Sequence, residues 1–202
     1  MNLPNKLSML RIILAPVFVV LLIYDFVPYH ALWALLVFLV ASYTDHLDGK
    51  IARARGIVTS FGQFLDPLAD KVLIVSALVC FSVMRLCSVW VPLIVLLREF
   101  SVTSLRLVAV ESGKVIAANR WGKMKTVSQI IASGYLLAIE ACAGFGLFGN
   151  VSLFTSWLST GNTIYGGLLL FGNVLLWVSC VLTIVSGVIY IRDNREVIRN
   201  VK

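Results

Sequence analysis

Charge is scarce in this chain. Only 13% of its 202 residues are Asp, Glu, Lys or Arg, against 59% hydrophobic. With a mean hydropathy of +0.94, that shortage excludes an ordinary soluble domain and describes an integral membrane protein. Histidine is rarer still. Of the two, His30 is expected in an outer loop and His46 in a solvated polar stretch. No Ser/His/Asp or Cys/His arrangement follows from them, so no covalent enzyme intermediate is expected. The four cysteines, Cys80, Cys87, Cys142 and Cys180, form no C-x-x-C pair and fall in or near apolar runs. They read as small packing residues without a redox role. Heptads, internal repeats and low-complexity tracts are also missing.

What the chain has is apolar length. Runs long enough to cross a bilayer occur at about 10–28, 31–54, 63–84, 88–110, 121–143 and 165–190, since a spanning helix needs about 20 apolar residues. The expected fold is therefore all-α, six transmembrane helices in one membrane domain over residues 1–202, with residues 2–10 at the interface before the first span. Lys6 and Arg11 ahead of the first run imitate a secretory signal, but no small-residue cleavage pattern follows, so it reads as a retained span. Residues 151–158, after Gly144, Gly146 and Gly149, read either as an interfacial helix carrying Phe154 and Trp157 or as a plain apolar loop.

Basic residues mark one side. Lys6 and Arg11, then Lys50, Arg53 and Arg55, then Lys114, Arg120, Lys123 and Lys125, then Arg192, Arg195, Arg199 and Lys202 all fall at one set of span ends. Residues 25–30 and 144–162 contain no Lys or Arg, and the turn between the third and fourth runs has only Arg85. The positive-inside rule then puts both termini in the cytoplasm. It also accounts for the net charge of +7. Cations in juxtamembrane loops point to anionic lipid headgroups rather than to nucleic acid.

Against this background residues 45–70 stand out, with Asp45, Asp48, Asp66 and Asp70 set between two apolar runs. A charge at the centre of a spanning helix costs about 2.5–3.5 kcal/mol on insertion scales, so four left uncompensated would cost on the order of 10 kcal/mol. Spacings of three and four put each pair on one face of its helix. Gly49, Gly56 and Gly62 allow the chain to turn back between them. Four convergent carboxylates make a hard-oxygen cage suited to Mg²⁺ or Mn²⁺, two of which can bridge a diphosphate.

The same run resembles the signature of the CDP-alcohol phosphotransferases, D-x-x-D-G-x-x-A-R, eight residues, then G-x-x-x-D-x-x-x-D. Asp45, Asp48, Gly49, Ala52, Arg53, Gly62, Asp66 and Asp70 fill every fixed position. The resemblance implies transfer of a substituted phosphoryl group from a CDP-linked donor to a hydroxyl, with release of CMP. It implies Asp45, Asp48, Asp66 and Asp70 as ligands of Mg²⁺ or Mn²⁺, expected as two ions, and Asp70 as the general base. Gly49, Ala52 and Arg53, with Asn5 and Gly62, are implied on the CDP-lipid side, where small residues let a nucleotide approach the helix. Arg53 reads equally as a partner of one aspartate. Lys71 reads as a snorkelling interface residue.

For the acceptor, the candidates are cations. Arg98 and Glu99 sit inside the fourth run, where charged residues usually face the bundle interior. Arg106, seven residues after Glu99, reads as either an acceptor ligand or an interhelical salt-bridge partner. Arg120, Lys123 and Lys125 are either positive-inside anchors or a pocket for a phosphorylated acceptor, because a phosphate monoester needs several cations. Within the family, residues 1–11, 98–106 and 122–126 look most like bacterial phosphatidylglycerophosphate synthases. That likeness implies CDP-diacylglycerol as donor, sn-glycerol 3-phosphate as acceptor, the bacterial inner membrane, and a homodimer, for which Thr183 and Gly187 would permit close packing. Phosphatidylglycerol, serine or an inositol phosphate as acceptor is the alternative within the family. A divalent-cation transporter is the alternative outside it, although the outer half offers only Glu140 as an acidic counterpart.

Overall fold

The computed structural model describes residues 3–55, 60–111, 120–148 and 163–195, and the side chains there except those of residues 3–5, 45–55, 60–67, 70, 110–111, 120 and 163. All regular structure among the described residues is helical. The helices are α1 (Leu3–Ile23), α2 (His30–Arg55), α3 (Ser60–Val83), α4 (Trp90–Glu111), α5 (Arg120–Gly144) and α6 (Thr163–Asp193). Each takes in most of one expected apolar run, although α1 ends at Ile23, five residues short of the expected end at 28. The segment expected at the interface before the first run is, from Leu3 onward, the opening of α1 itself. The possible interfacial helix at 151–158 lies outside the described residues.

Local chemistry explains where these helices stop. After α1, Tyr29 takes a positive φ of 57° and its carbonyl accepts from the Leu32 and Trp33 amides, at 2.9 and 3.2 Å, which starts α2. His30 is not in a loop: it opens α2, half-buried, with Nδ1 3.0 Å from the Leu21 carbonyl and Nε2 2.9 Å from Asp25 Oδ1. Its ring thereby ties the end of α1 to the start of α2. At the end of α3, Arg85 adopts φ 60°, and the Leu86 amide donates to Phe81 O at 2.8 Å while the Arg85 amide donates to Ser82 O at 3.1 Å. This is the Schellman arrangement, which satisfies carbonyls that a helix end otherwise leaves bare.

The core runs through the bundle, with Phe18 of α1, Phe38 of α2, Phe81 of α3, Leu136 of α5 and Leu176 of α6 all fully buried. α1 packs on both α2 and α3, α5 packs on α6 and α2, and α4 lies mainly against α6. Where α6 crosses α5, a Cβ on Gly172 would fall 2.4 Å from Leu136 Cδ2, so only glycine permits that approach. Thr183 and Gly187, expected to face a second copy, instead lie inside the bundle. Thr183 accepts from Gln129 of α5, and Gly187 abuts the stem of Arg98 of α4.

The outer surface is as apolar as the interior. Val17, Leu39, Leu97, Phe100, Ile131, Phe171 and Val188 are each more than 40% exposed. A surface this apolar belongs in hydrocarbon rather than in water. Among the described residues, three helices are long and apolar enough to cross a membrane, over Lys6–Ile23, Trp121–Gly144 and Ile164–Asp193, with shorter apolar helices at His30–Thr44 and Lys71–Val83. The other helices carry polar and charged residues along their length, and those residues define the candidate site.

Candidate functional site

The four motif aspartates occupy unbroken helix. Asp45 and Asp48 lie in α2, three residues apart, and Asp66 and Asp70 lie in α3, four apart. α1 is in contact with both of these helices. The side chains of Asp45, Asp48, Asp66 and Asp70, and those of Asn5, Gly49, Ala52, Arg53 and Gly62, lie outside the described residues. Among the described residues no group of three or more His, Cys, Asp or Glu gathers as a metal site.

Lys71, one residue beyond Asp70, borders a cavity of about 150 Å³. Its walls are Lys71, Ile74 and Val75 of α3, Val95 and Glu99 of α4, and Lys125, Thr126 and Gln129 of α5. The apolar members belong to the helix packing. The polar ones are tied together across helices, as buried charge requires.

Glu99 is the hub. Its Oε1 accepts from both the Lys125 ammonium and Arg98 Nη1, the latter at 3.0 Å. Glu99 and Lys125 are buried, 9% and 4% exposed. Arg98 reaches in the other direction too, with Nη2 donating to Ser186 Oγ of α6 at 2.6 Å. The Lys71 ammonium donates to Thr103 Oγ1 of α4. Deeper along α5, Gln129 Nε2 donates to Thr183 Oγ1 at 3.2 Å, and Thr183 in turn donates to Ser179 O at 2.7 Å. Two cations and one carboxylate, Lys71, Lys125 and Glu99, thus line one small space, and Arg98 bonds to that carboxylate from beside it.

Of the cations expected to bind an acceptor, Lys125 lines the cavity, and Arg98 is bonded to its Glu99 wall without lining it. Arg106 and Lys123 do not line the cavity; both are exposed. Glu99 takes the interhelical salt-bridge role open to it, with Lys125 of α5, and also pairs with Arg98 beside it. Arg120 has its side chain outside the described residues. Lys71 is not a snorkelling residue but a half-buried wall of the cavity. The one available signal for it was its place directly after Asp70. Arg11 is a second surprise, since a cation expected to flank the first span is 3% exposed, on the helix that touches both motif helices.

A separate buried carboxyl lies far from this cluster. Tyr165 Oη of α6 donates to Glu140 Oε1 of α5 at 2.6 Å, while Glu140 Oε2 is buried with no hydrogen-bond partner among the described residues. Fifteen residues along α5 separate Glu140 from Lys125, about 22 Å at 1.5 Å per residue. Cys87 stays inert: burial pushes its thiol up to about 12, and its Sγ faces Leu78 O at 3.7 Å.

Comparison with known proteins agrees with the motif. The family model described as CDP-alcohol phosphatidyltransferase matches residues 1–185. The CDP-diacylglycerol--glycerol-3-phosphate 3-phosphatidyltransferase of Bacillus subtilis strain 168 is 36% identical over 98% of this chain and 97% of its own length. Proteins of the same name from Pseudomonas fluorescens and Escherichia coli K12 are 35% and 38% identical, over 88% and 77% of this chain and 86% and 90% of theirs. With its signature complete and the match running through nearly all its helices, this chain belongs to the CDP-alcohol phosphatidyltransferase family.

Proposed function

We propose that this protein transfers the phosphatidyl group of CDP-diacylglycerol to sn-glycerol 3-phosphate, giving phosphatidylglycerophosphate and CMP in anionic phospholipid synthesis. The observation that supports the choice of acceptor is that Lys71 and Lys125 line one cavity, beginning a single residue past Asp70, with Arg98 bonded to its Glu99 wall. A phosphate monoester carries about −1.5 to −2 charges at neutral pH and needs several cations in fixed positions. Serine or another acceptor without a phosphate would leave this cluster without a ligand. Relatives of matching length carry the name of the same reaction.

The donor set of the motif fits a hard divalent cation, because all four candidates are carboxylates. Asp45, Asp48, Asp66 and Asp70 would hold Mg²⁺ or Mn²⁺, as two ions. Such ions, when bound, neutralise the diphosphate and make its phosphorus more open to attack. Gly49, Ala52, Gly62, Arg53 and Asn5 receive the cytidine-phosphate side of the donor. Its acyl chains remain among the apolar outer surfaces of the helices. Lys71, Arg98 and Lys125, with Arg120 at the start of α5, hold the phosphate of the acceptor so that its hydroxyl points toward the motif. Asp70 takes the hydroxyl proton. The hydroxyl oxygen bonds to the phosphatidyl phosphorus, and the bond from that phosphorus to the bridging oxygen breaks as CMP leaves. Positioning and charge neutralisation supply most of the catalysis in phosphoryl transfer.

In this reading all six helices span a bacterial inner membrane as one domain over residues 1–202. Both termini and the site face the cytoplasm, because the basic residues cluster at that set of helix ends. Arg106 and Lys123, exposed and outside the cavity, act as anchors to anionic headgroups. The working form is a homodimer whose contacts use surfaces other than Thr183 and Gly187. The test is CMP release by purified protein in detergent, with CDP-diacylglycerol and Mg²⁺ or Mn²⁺. Release that requires glycerol 3-phosphate supports the proposal; release with serine, an inositol phosphate or phosphatidylglycerol in its place overturns the acceptor.

A further inference from the structure

The cation cavity contains its own anion. Lys125 and Arg98 both direct hydrogen bonds at a single oxygen, Oε1 of Glu99. These are the donors that an incoming phosphate would use. Glu99 therefore stands where a ligand oxygen would stand, buried beside a cavity of about 150 Å³. A phosphate monoester in its dianionic form offers Lys125 and Arg98 more charge than the single carboxylate already there, whereas a monoanionic diester or an acceptor with no phosphate does not.

A second argument comes from the reaction proposed above, on which this inference rests. Acceptor and product carry the same phosphate monoester, so the group that secures the substrate must also be let go afterwards. Binding that is equally strong before and after transfer slows release without speeding chemistry. A carboxylate tethered next to the cations solves this, because it retakes them as the product departs.

We propose that Glu99 is a displaceable counter-ion: the phosphate of the acceptor takes Lys125 and Arg98 from it on entry, and Glu99 reclaims them on product release. It thereby sets acceptor affinity and favours dianionic monoesters. Glu99 is not a catalytic residue in this scheme, since it touches the ligand's cations rather than the reacting atoms.

The experiment measures binding of radiolabelled glycerol 3-phosphate to the purified full-length protein without CDP-diacylglycerol, beside steady-state kinetics with it. Glu99→Gln removes the charge and keeps the shape. Removing a competing interaction of ordinary coupling strength should tighten glycerol 3-phosphate binding about tenfold, lower its KM, and lower kcat as release slows. Glu99→Asp, which draws the carboxylate back by one methylene, should tighten binding about threefold by the same effect. It also serves as the test if the glutamine variant does not fold. Lys125→Met is the control for the site and should weaken binding. Weakening by Lys125→Met with unchanged or weaker binding in both Glu99 variants would make Glu99 a structural partner only, overturning this inference and leaving the acceptor site intact. Unchanged binding in Lys125→Met would overturn both.

Discussion

Arg98 of α4 reaches Ser186 of α6, 88 residues later in the chain, through a 2.6 Å hydrogen bond from Nη2 to Oγ. The neighbouring Gly187 makes room for the arginine stem, because a Cβ there would fall 3.0 Å from Arg98 Cγ. The serine thus fixes one end of the guanidinium while the glycine clears its path, and Nη1 is left to face Glu99.

Gly187→Val follows from that geometry. Its branched side chain would push the Arg98 stem off its course and break the alignment with Ser186 and Glu99. The expected outcome is a KM for glycerol 3-phosphate raised about tenfold, with a smaller change in the KM for CDP-diacylglycerol, as loss of one charge-assisted hydrogen bond implies. Steady-state CMP release at varied concentrations of each substrate measures this.

Lys123 and Lys125 are two residues apart in α5, yet one is exposed and the other buried against Glu99. Lys123→Ala should change the KM for glycerol 3-phosphate by less than about twofold, the effect of a surface charge. Lys125→Ala should raise it by about 10-fold or more, since it also leaves Glu99 short of a buried partner. Equal effects of the two substitutions would contradict the separation.

Asp70→Asn keeps the shape of the side chain and removes its capacity to accept a proton. General-base contributions are about 10²–10⁴-fold, so kcat should fall by that order while glycerol 3-phosphate binding, measured separately, stays near wild type. Chelation with EDTA should abolish CMP release in the wild-type protein, and added Mg²⁺ or Mn²⁺ should restore it. Activity that survives chelation would remove the metal role assigned to the four aspartates.

Tyr165→Phe takes away the hydrogen bond on Glu140 Oε1, and among the described residues the other carboxyl oxygen is already buried without a partner. An unsatisfied buried group costs about 1–3 kcal/mol, so the variant should unfold at lower temperature in detergent. The KM for glycerol 3-phosphate should not move, because Glu140 lies about 22 Å along α5 from Lys125. A shifted KM would link two sites that the bundle keeps apart.

Much of this protein is determined locally. Each apolar run became a helix, because length and composition are properties of a continuous stretch, and main-chain groups in an apolar surrounding must bond within it. The Asp signature was equally legible, since spacings of three and four in a helix need no knowledge of any other element. Local chemistry also stopped the helices, although His30 shows how narrowly a boundary can be missed when the residue serves as a cap rather than a loop.

The sequence by itself therefore determined that the chain forms membrane-type helices and which helices carry the motif. Only the tertiary structure decided which polar residues share a space. α5 and α6 are apolar around most of their circumference, so no polar stripe announces which face turns inward. Lys125 is buried and Lys123 exposed for that reason: their rotation about α5 is set by its packing against α6 and α2. The same packing turned Thr183 and Gly187 into the bundle, placed Lys71 on the cavity wall, and gave Glu99 two cations from two helices. A helix's sequence sets the angles between its own side chains, but the direction of the whole set depends on the neighbours it packs against.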